Sequence, residues 1–184
     1  MVKMIAVIGS SGSGKTSTVE YLVSRLTAKR LKVGSVKHVR DHSFTIDVAG
    51  KDTWRHAKAG AKRVVCISRR EVAIIRKERG DTYTLERISS LFRDEEFDLI
   101  ILEGFQRLVS KRADVGKILT AKNKEDVKRL LRLVKPPIIA LTGAISRKEK
   151  GSVQGISIVD VRRDGAQLVN AARKLARSAI QRRQ

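Results

Sequence analysis

Residues 9–17 read GSSGSGKTS, a run of glycines and hydroxyl side chains around a single lysine. Gly9, four further residues, and then Gly14, Lys15 and Thr16 fit the pattern G-x-x-x-x-G-K-[ST]. In this pattern backbone N–H groups surround phosphate oxygens, the lysine reaches the outer phosphates and the hydroxyl binds Mg²⁺. A serine-rich turn ahead of a helix is the alternative. The stretch predicts a nucleoside triphosphate site formed by Gly9, Ser10, Ser11, Gly12, Ser13, Gly14, Lys15, Thr16 and Ser17.

A second motif places an acidic side chain at the end of an apolar run. Residues 99–102 are apolar, and Glu103 and Gly104 follow them directly. A carboxylate at a strand end beside a phosphate-binding loop can hold magnesium or orient an attacking water. We therefore predict Lys15 and Glu103 as catalytic residues, Thr16 and Glu103 as magnesium ligands, and Gly104 as the point where the backbone approaches the outer phosphate. The alternative is an ordinary strand end with a solvent-facing glutamate.

Residues 36–61 are denser in polar side chains than a connecting loop needs. They follow a second predicted strand, and ligands of open α/β sheets bind at the carboxyl ends of the strands. The segment is predicted to contact substrate or to act as a switch, and Asp47 is predicted as a further magnesium ligand. Two alternatives are a transition-metal site at His38 and His42 with Asp47, and a polar surface loop. The predicted switch or substrate residues are Lys37, His38, Asp47, Lys51 and Asp52.

The elements that must position these side chains alternate between strand and helix patterns. Such alternation predicts an α/β fold of the P-loop NTPase type, with a mostly parallel central sheet flanked by helices. Two runs separated by a short turn, 63–68 and 71–77, predict an added antiparallel hairpin. The other predicted strands are 4–9, 32–39, 97–104, 116–121, 137–143 and 155–161. The predicted helices are 15–30, 50–59, 84–93, 124–134 and 165–181.

Composition narrows the class of protein. The length of 184 residues predicts one domain, 1–184. Forty Lys+Arg against 19 Asp+Glu give a net charge of +21, which favours anionic partners. The alternative is a solvated surface, because these residues are dispersed along the chain. Aromatic residues make up only 4%, so stacking surfaces for single-stranded nucleic acid are scarce and a nucleic-acid-binding ATPase is disfavoured. Cys66 lies in an apolar run and is predicted to be a buried, reduced thiol. No apolar stretch suggests a membrane span, and we expect a cytoplasmic location.

The tetrapeptide NKED at 123–126 has two interpretations. It matches N-K-x-D, in which a carboxylate accepts the N1 and N2 hydrogens of guanine. It also matches a helix start, with Asn123 as N-cap and Asp126 in the first turn. The helix start is the favoured interpretation, because the motif follows the first strand after Glu103 and is offset from the end of that strand.

Four stretches in this order resemble the molybdopterin-guanine dinucleotide biosynthesis protein B family, MobB. They are GSSGSGKTS (9–17), VGSVKH (33–38), DVAGKDTWRHAKAGA (47–61) and DLIILEGF (98–105). The resemblance implies a homodimeric P-loop protein that binds GTP with Mg²⁺ and hydrolyses it weakly. It also implies two partners, the molybdopterin guanylyltransferase and the molybdopterin cofactor to which that enzyme attaches GMP. Thr45 stands where the family commonly has an aspartate. A small-molecule kinase that uses ATP is the alternative function.

Overall fold

The computed structural model describes residues 2–41, 43–77 and 83–180. The chain forms two compact units, one comprising Met1–His38 with Tyr83–Gln184 and the other Val39–Thr82. That both belong to a single folding domain stays a prediction from chain length. In these described ranges no helix is long and apolar enough to cross a bilayer.

The elements follow in the order that the sequence patterns predict. The strands are β1 (Lys3–Gly9), β2 (Val33–Lys37), β3 (Arg63–Ile67), β4 (Val72–Arg76), β5 (Leu99–Glu103), β6 (Gly116–Thr120), β7 (Ile138–Thr142), β8 (Ser152–Val153) and β9 (Ile156–Ser157). The helices are α1 (Lys15–Thr27), α2 (Asp52–Lys58), α3 (Leu85–Ser90), α4 (Gln106–Val109), α5 (Lys124–Leu133), α6 (Val161–Asp164) and α7 (Ala166–Ile180), with a 3-10 helix at Ala144–Arg147.

A five-stranded sheet forms the centre of the first unit. Its order is β2-β5-β1-β6-β7, and every neighbouring pair is parallel. Strand β1 is the central strand, with β5 and β2 on one side and β6 and β7 on the other. In open parallel sheets, ligands bind at the carboxyl ends of the strands at such a branching point. In the second unit β3 and β4 form a separate antiparallel hairpin. The predicted α/β class, parallel sheet and added hairpin are all confirmed.

Helices cover both faces of the sheet. Alternate residues of β1 point to opposite faces, so a fully buried strand supplies two cores. Met4, Ala6 and Ile8 pack in one core with side chains of α3 and α5. Ile5 and Val7 pack in the other with side chains of α1 and α7. The burial of β1 on both faces explains why it reads as one continuous apolar run.

Two predictions from the sequence are wrong. The expected strand 155–161 contains only the two residues of β9, because Gly155 adopts a positive φ of 76° at its start and Asp160 begins α6 at its end. Cys66 is exposed rather than buried. It lies in β3, and a two-stranded hairpin cannot by itself cover both of its faces.

A buried lysine in β6 gives a prediction about pH dependence. The side chain of Lys117 is fully buried, and its Nζ donates to the Arg112 carbonyl. Burial lowers the pKa of Lys117 below 10.5, and Asp114 opposes this effect in part. Between the lowered pKa and 10.5 the folded chain binds fewer protons than the unfolded chain. The free energy of unfolding therefore rises with pH across that window.

We expect Lys117→Met to remove this rise. Urea denaturation of wild type and variant from pH 7 towards pH 10.5 should show the wild type gaining stability relative to the variant. Lys111→Met, at an exposed lysine, is the matched control and should follow the wild-type profile. Parallel profiles for wild type and Lys117→Met would contradict the assignment.

Candidate functional site

The glycine-rich loop connects β1 to α1. Strand β1 ends at Gly9, and α1 begins at Lys15 with Gly14 as its N-cap. Gly12 and Gly14 have φ values of 69° and 101°, which side chains other than glycine rarely adopt. The sequence therefore places glycine where the loop must turn, and the turn brings the start of a helix to the carboxyl edge of the sheet.

Ser13 holds the loop against the end of β6. Its side chain is fully buried, and Ser13 Oγ donates to the Ser10 carbonyl at 2.8 Å and lies 2.7 Å from Thr120 Oγ1. A Cβ at Gly9 would lie 2.2 Å from the Thr120 carbonyl oxygen. The loop and the strand end are thus in backbone contact, and Gly9 is required by space rather than by backbone angle.

The end of β7 closes the loop from the other side. A Cβ at Gly143 would lie 2.2 Å from the Ser13 carbonyl oxygen, and Gly143 has a φ of 96°. The Ala144 N–H donates to the same carbonyl at 3.3 Å. Sequence reasoning missed Gly143 and Thr120 as parts of this site. The available signal was a threonine or glycine that directly ends an apolar strand.

Lys15 and Thr16, two of the predicted site residues, lie in the first turn of α1. Lys15 Nζ donates to the Ser10 carbonyl at 2.7 Å. Thr16 Oγ1 donates to Glu103 Oε1 at 2.9 Å. Lys37 Nζ lies 3.5 Å from the same carboxylate oxygen. The structure therefore brings together Thr16, Glu103 and Lys37, which the sequence predicts separately.

The parallel register explains why Glu103 reaches Thr16. Val7 and Glu103 are partners in the pairing of β1 with β5, and Lys37 and Glu103 are partners in the pairing of β2 with β5. The carboxyl ends of three strands thus lie side by side. Glu103 is only 8% exposed, and its neighbours are a hydroxyl and an ammonium group.

Gly104 and His38 continue the backbone at this edge. The His38 N–H donates to the Glu103 carbonyl, and the Gly104 N–H donates to the Val7 carbonyl, both at 3.0 Å. Gly104 has a φ of 89°, and a Cβ there would meet the His38 Cβ only at 3.5 Å. Glycine is therefore required at 104 by backbone angle and not by lack of space. The His38 ring packs against Phe105 with centroids 5.0 Å apart.

The second unit contains the remaining predicted residues. Asp47 is 7% exposed, and its Oδ1 accepts a hydrogen bond from Thr53 Oγ1 at 2.7 Å. Its Oδ2 is buried with no hydrogen-bond partner in the described part of the chain. Lys51 is the N-cap residue of α2, and Asp52 follows in the first turn, 3.7 Å from Arg55. The hydrogen bond from Thr53 holds Asp47 beside the first turn of α2.

The alternative transition-metal site falls partly outside the described residues, because His42 is not among them. Within residues 2–41, 43–77 and 83–180, no three histidine, cysteine, aspartate or glutamate side chains cluster as a metal ion requires. Magnesium differs in this respect, since it is bound through one or two protein oxygens with water and phosphate completing its shell. A hydroxyl and a carboxylate 2.9 Å apart, as at Thr16 and Glu103, fit that chemistry.

The NKED motif is a helix start that also anchors the loop. Asn123 Oδ1 accepts the Asp126 N–H at 2.9 Å, which confirms Asn123 as the N-cap of α5. Asp126 Oδ2 accepts hydrogen bonds from Ser10 Oγ at 3.0 Å and from the Lys122 N–H at 3.2 Å. Asp126 Oδ1 accepts from Arg129 Nη2 at 2.7 Å. Both carboxylate oxygens are thus engaged in holding Ser10 and the helix start.

Comparison with known proteins identifies the family. The family model described as molybdopterin guanine dinucleotide synthesis protein B, MobB, matches residues 4–143. The chain belongs to the MobB family. The matched range contains the glycine loop, Glu103, NKED and Gly143.

Curated MobB relatives are adapter proteins. The chain is 32% identical over 118 residues to the molybdopterin-guanine dinucleotide biosynthesis adapter protein of Haemophilus influenzae, which covers 64% of this chain and 62% of that protein. It is 29% identical over 120 residues to the adapter protein of Escherichia coli, and the aligned region covers 65% of this chain and 65% of that protein. The chain therefore spans less than two thirds of the length of these relatives.

Solved MobB structures share the fold. The crystal structure of Bacillus subtilis MobB superposes with a TM-score of 0.70 at 25% identity and covers 92% of this chain and 97% of that one. The MobB homologue from Bacillus stearothermophilus gives 0.66 at 19% identity and covers 93% and 98%.

The anchoring role of Asp126 gives a stability prediction. Burial raises the pKa of Asp126, but hydrogen bonds from the Lys122 N–H, Arg129 and Ser10 outweigh it and hold the pKa below 3.8. Asp126→Ala should lower the free energy of unfolding by about 1.5–3 kcal/mol, the range for hydrogen bonds to charged groups. The loss is full above pH 3.8 and shrinks as pH falls below it.

Urea denaturation of Asp126→Ala, Ser10→Ala and the double variant measures this interaction. The two single losses should not add, because they remove the same hydrogen bond. Glu125→Ala is the control, since Glu125 is exposed in the same helical turn. Additive losses, or an equal loss for Glu125→Ala, would show that Asp126 does not anchor the loop.

Proposed function

We propose that this protein is an adapter in molybdopterin-guanine dinucleotide biosynthesis that binds GTP with Mg²⁺ and hydrolyses it slowly. The observation that carries the proposal is the hydrogen bond between Thr16 and Glu103 beside the glycine loop, in a chain of the MobB family. In the proposal the protein acts in the cytoplasm on the molybdopterin guanylyltransferase and its molybdopterin cofactor.

The loop supplies the phosphate contacts in this proposal. The N–H groups of residues 10–17 and the N-terminus of α1 provide donors and a partial positive charge for phosphate oxygens. Lys15 Nζ, which donates to the Ser10 carbonyl 2.7 Å away, exchanges that partner for a phosphate oxygen. An ammonium–phosphate contact is charge-assisted and therefore stronger than the bond to a neutral carbonyl.

Thr16 and Glu103 are the residues that would hold magnesium. When bound, the ion neutralises charge on the outer phosphates. Glu103 has a second role in the proposal, because its carboxylate can accept a hydrogen from the water that attacks the outer phosphate and so orient it. The described contacts of the Glu103 side chain are with Thr16 and Lys37 and include no arginine. An arginine at such a site accelerates hydrolysis about 10³–10⁵-fold, so slow turnover is expected.

The switch role remains with the residues that the sequence predicts. Lys37 is the last residue of β2 and His38 follows it directly, at the edge occupied by Glu103. Asp47 belongs to the second unit, and its buried Oδ2 without a described partner supports a role in ligand or metal binding there. A buried unpaired carboxylate oxygen is costly unless a partner arrives. Lys51 and Asp52 complete the proposed switch at the start of α2.

A homodimer is the proposed assembly, and the hairpin is its proposed interface. Val65 pairs with Ile74 and Ile67 pairs with Val72, so these four apolar side chains share one face. Their exposed fractions run from 49% to 75%. An isolated two-stranded hairpin is at best marginally stable in water. A second copy of the same face would bury four apolar side chains on each side and stabilise both hairpins.

Nucleotide binding is tested first at Lys15. Lys15→Ala should weaken binding of a fluorescent GTP analogue in magnesium by about tenfold to a hundredfold, because it removes a charge-assisted hydrogen bond to phosphate. Lys29→Ala, at an exposed lysine beyond α1, is the control and should bind as wild type does. Unchanged affinity in Lys15→Ala would overturn the phosphate-binding role of the loop.

Turnover is tested at Glu103. Glu103→Gln should retain GTP binding and release phosphate at least about tenfold more slowly, since a neutral amide accepts the hydrogen of water less strongly than a carboxylate. Phosphate release without transfer to a metabolite supports the adapter. Stoichiometric transfer from ATP to a small-molecule acceptor would instead support the kinase alternative.

The interface is tested by charge on the hairpin face. Ile67→Lys and Ile74→Lys should each convert the dimer to a monomer, because each would bury a lysine in the proposed interface. Light scattering measures the molar mass that distinguishes the two. Leu133→Lys, at a 50% exposed position on α5, should leave the mass unchanged. A wild type that is monomeric at all concentrations, or hairpin variants that remain dimeric, would refute this interface.

A further inference from the structure

A cavity of about 310 Å³ lies beside the glycine loop in the first unit. Gly14, Ser17 and Thr18 line one wall, and Tyr21 and Asp160 contribute to the others. The volume lies in the range of small-molecule sites, which begins at roughly 300 Å³. Neither the sequence motifs nor the family comparison assigns an occupant to this space.

The chain direction of the loop determines which part of a nucleotide faces the cavity. Thr16, Glu103 and Lys15 mark the end where the outer phosphates and magnesium are proposed to bind. Thr16 and Glu103 are not among the cavity residues, whereas Ser17 and Thr18, the next two residues of α1, are. A polyphosphate that runs along the loop from Thr16 therefore has its nucleoside end at the cavity.

We propose that this cavity receives the base and ribose of the nucleotide and that Asp160 selects guanine. This inference rests on the nucleotide binding proposed above and assigns the part of the site that distinguishes one base from another. Its occupant is a purine nucleoside whose edge presents hydrogen-bond donors.

The hydrogen bonding of Asp160 carries the base assignment. Asp160 Oδ1 accepts the Arg162 N–H at 2.9 Å, which fixes the carboxylate at the cavity wall. No described residue donates a hydrogen bond to Asp160 Oδ2. An ionised carboxylate only accepts hydrogen bonds. Guanine presents two adjacent donors, N1–H and the 2-amino group, whereas adenine presents an acceptor at N1. The carboxylate therefore fits guanine and disfavours adenine.

Two further features of the cavity wall agree with a polar occupant. Thr142 Oγ1 is buried without a hydrogen-bond partner in the described part of the chain, and Thr142 lines the cavity. Such a group is costly unless a ligand or water pairs with it. Arg147 and Arg162 also line the cavity and bring positive charge to this part of the site.

Asp126 is the competing candidate for reading the base, and its contacts argue against it. Both of its carboxylate oxygens already accept hydrogen bonds, from Ser10, the Lys122 N–H and Arg129. Asp126 is also absent from the cavity wall. The two aspartates therefore predict different effects on binding, which one set of measurements can separate.

Asp160→Asn is the decisive variant. Asparagine caps a helix as well as aspartate does, so the hydrogen bond to the Arg162 N–H and the fold are retained. The amide presents one acceptor and one donor where the carboxylate presents acceptors only. We expect affinity for GTP to fall by roughly tenfold to a hundredfold. Affinity for xanthosine triphosphate should rise, because its C2 oxygen accepts the hydrogen that the amide donates.

Three controls make the measurement specific. Inorganic tripolyphosphate has no base to reach Asp160, so its affinity should be the same in wild type and Asp160→Asn. Asp164→Asn, in the same helix but not in the cavity wall, should bind all nucleotides as wild type does. Asp126→Ala should lower the affinities for GTP and ATP by the same factor, because it removes a hydrogen bond that holds the loop and no contact to the base.

Each outcome of competition binding has a distinct meaning. The proposal is supported if Asp160→Asn binds GTP more weakly than wild type, xanthosine triphosphate more tightly, and tripolyphosphate with the same affinity. Unchanged GTP affinity in Asp160→Asn, with normal binding by the wild type, overturns the assignment of Asp160 and leaves the proposed function standing. A selective loss of GTP in Asp126→Ala overturns it in favour of the NKED motif. A wild type that binds neither tripolyphosphate nor GTP overturns the proposed function and this inference together.

Discussion

The close approach of the glycine loop to the ends of β6 and β7 is the constraint on which the site depends. A Cβ at Gly9 or at Gly143 would lie 2.2 Å from a backbone oxygen, and backbone cannot move aside as a flexible side chain can. The loop is therefore seated on the sheet by its glycines and held there by Ser13 and Thr120. The first turn of α1, with Lys15 and Thr16, takes its position from that seat.

The order of strands then determines which side chains meet. Because β5 is the direct neighbour of β1, its last residue, Glu103, lies beside Val7. Val7 is two residues before Gly9, where the loop begins. Because β2 is the next neighbour, Lys37 ends beside Glu103. On the opposite side of β1, the ends of β6 and β7 hold the loop, and the end of β7 also borders the cavity. Glu103 therefore lies on one side of β1, and Thr120 and Gly143 lie on the other.

Sequence patterns were informative where local chemistry decides the structure. The glycine loop, the apolar run before Glu103 and the Asn123 cap each have a physical reason within a few residues, and the structure contains the predicted elements. Sequence could not identify Thr120, Gly143 or Asp160, because their roles arise from packing between strands far apart in the chain. Cys66 was predicted wrongly since an apolar run indicates burial only when a second layer covers it.

Strands β2 and β5 are neighbours in the sheet, yet the chain between them includes the whole of Val39–Thr82. The Lys32 N–H donates to Asp98 Oδ2 at 2.8 Å across 66 positions of sequence, where the two strands begin. The entropic cost of closing a connection grows slowly, by about 0.6 kcal/mol for each doubling of its length. Changes in the length of this connection therefore cost little in the pairing of β2 with β5, and the closed end at Lys32 and Asp98 can hold connections of different length.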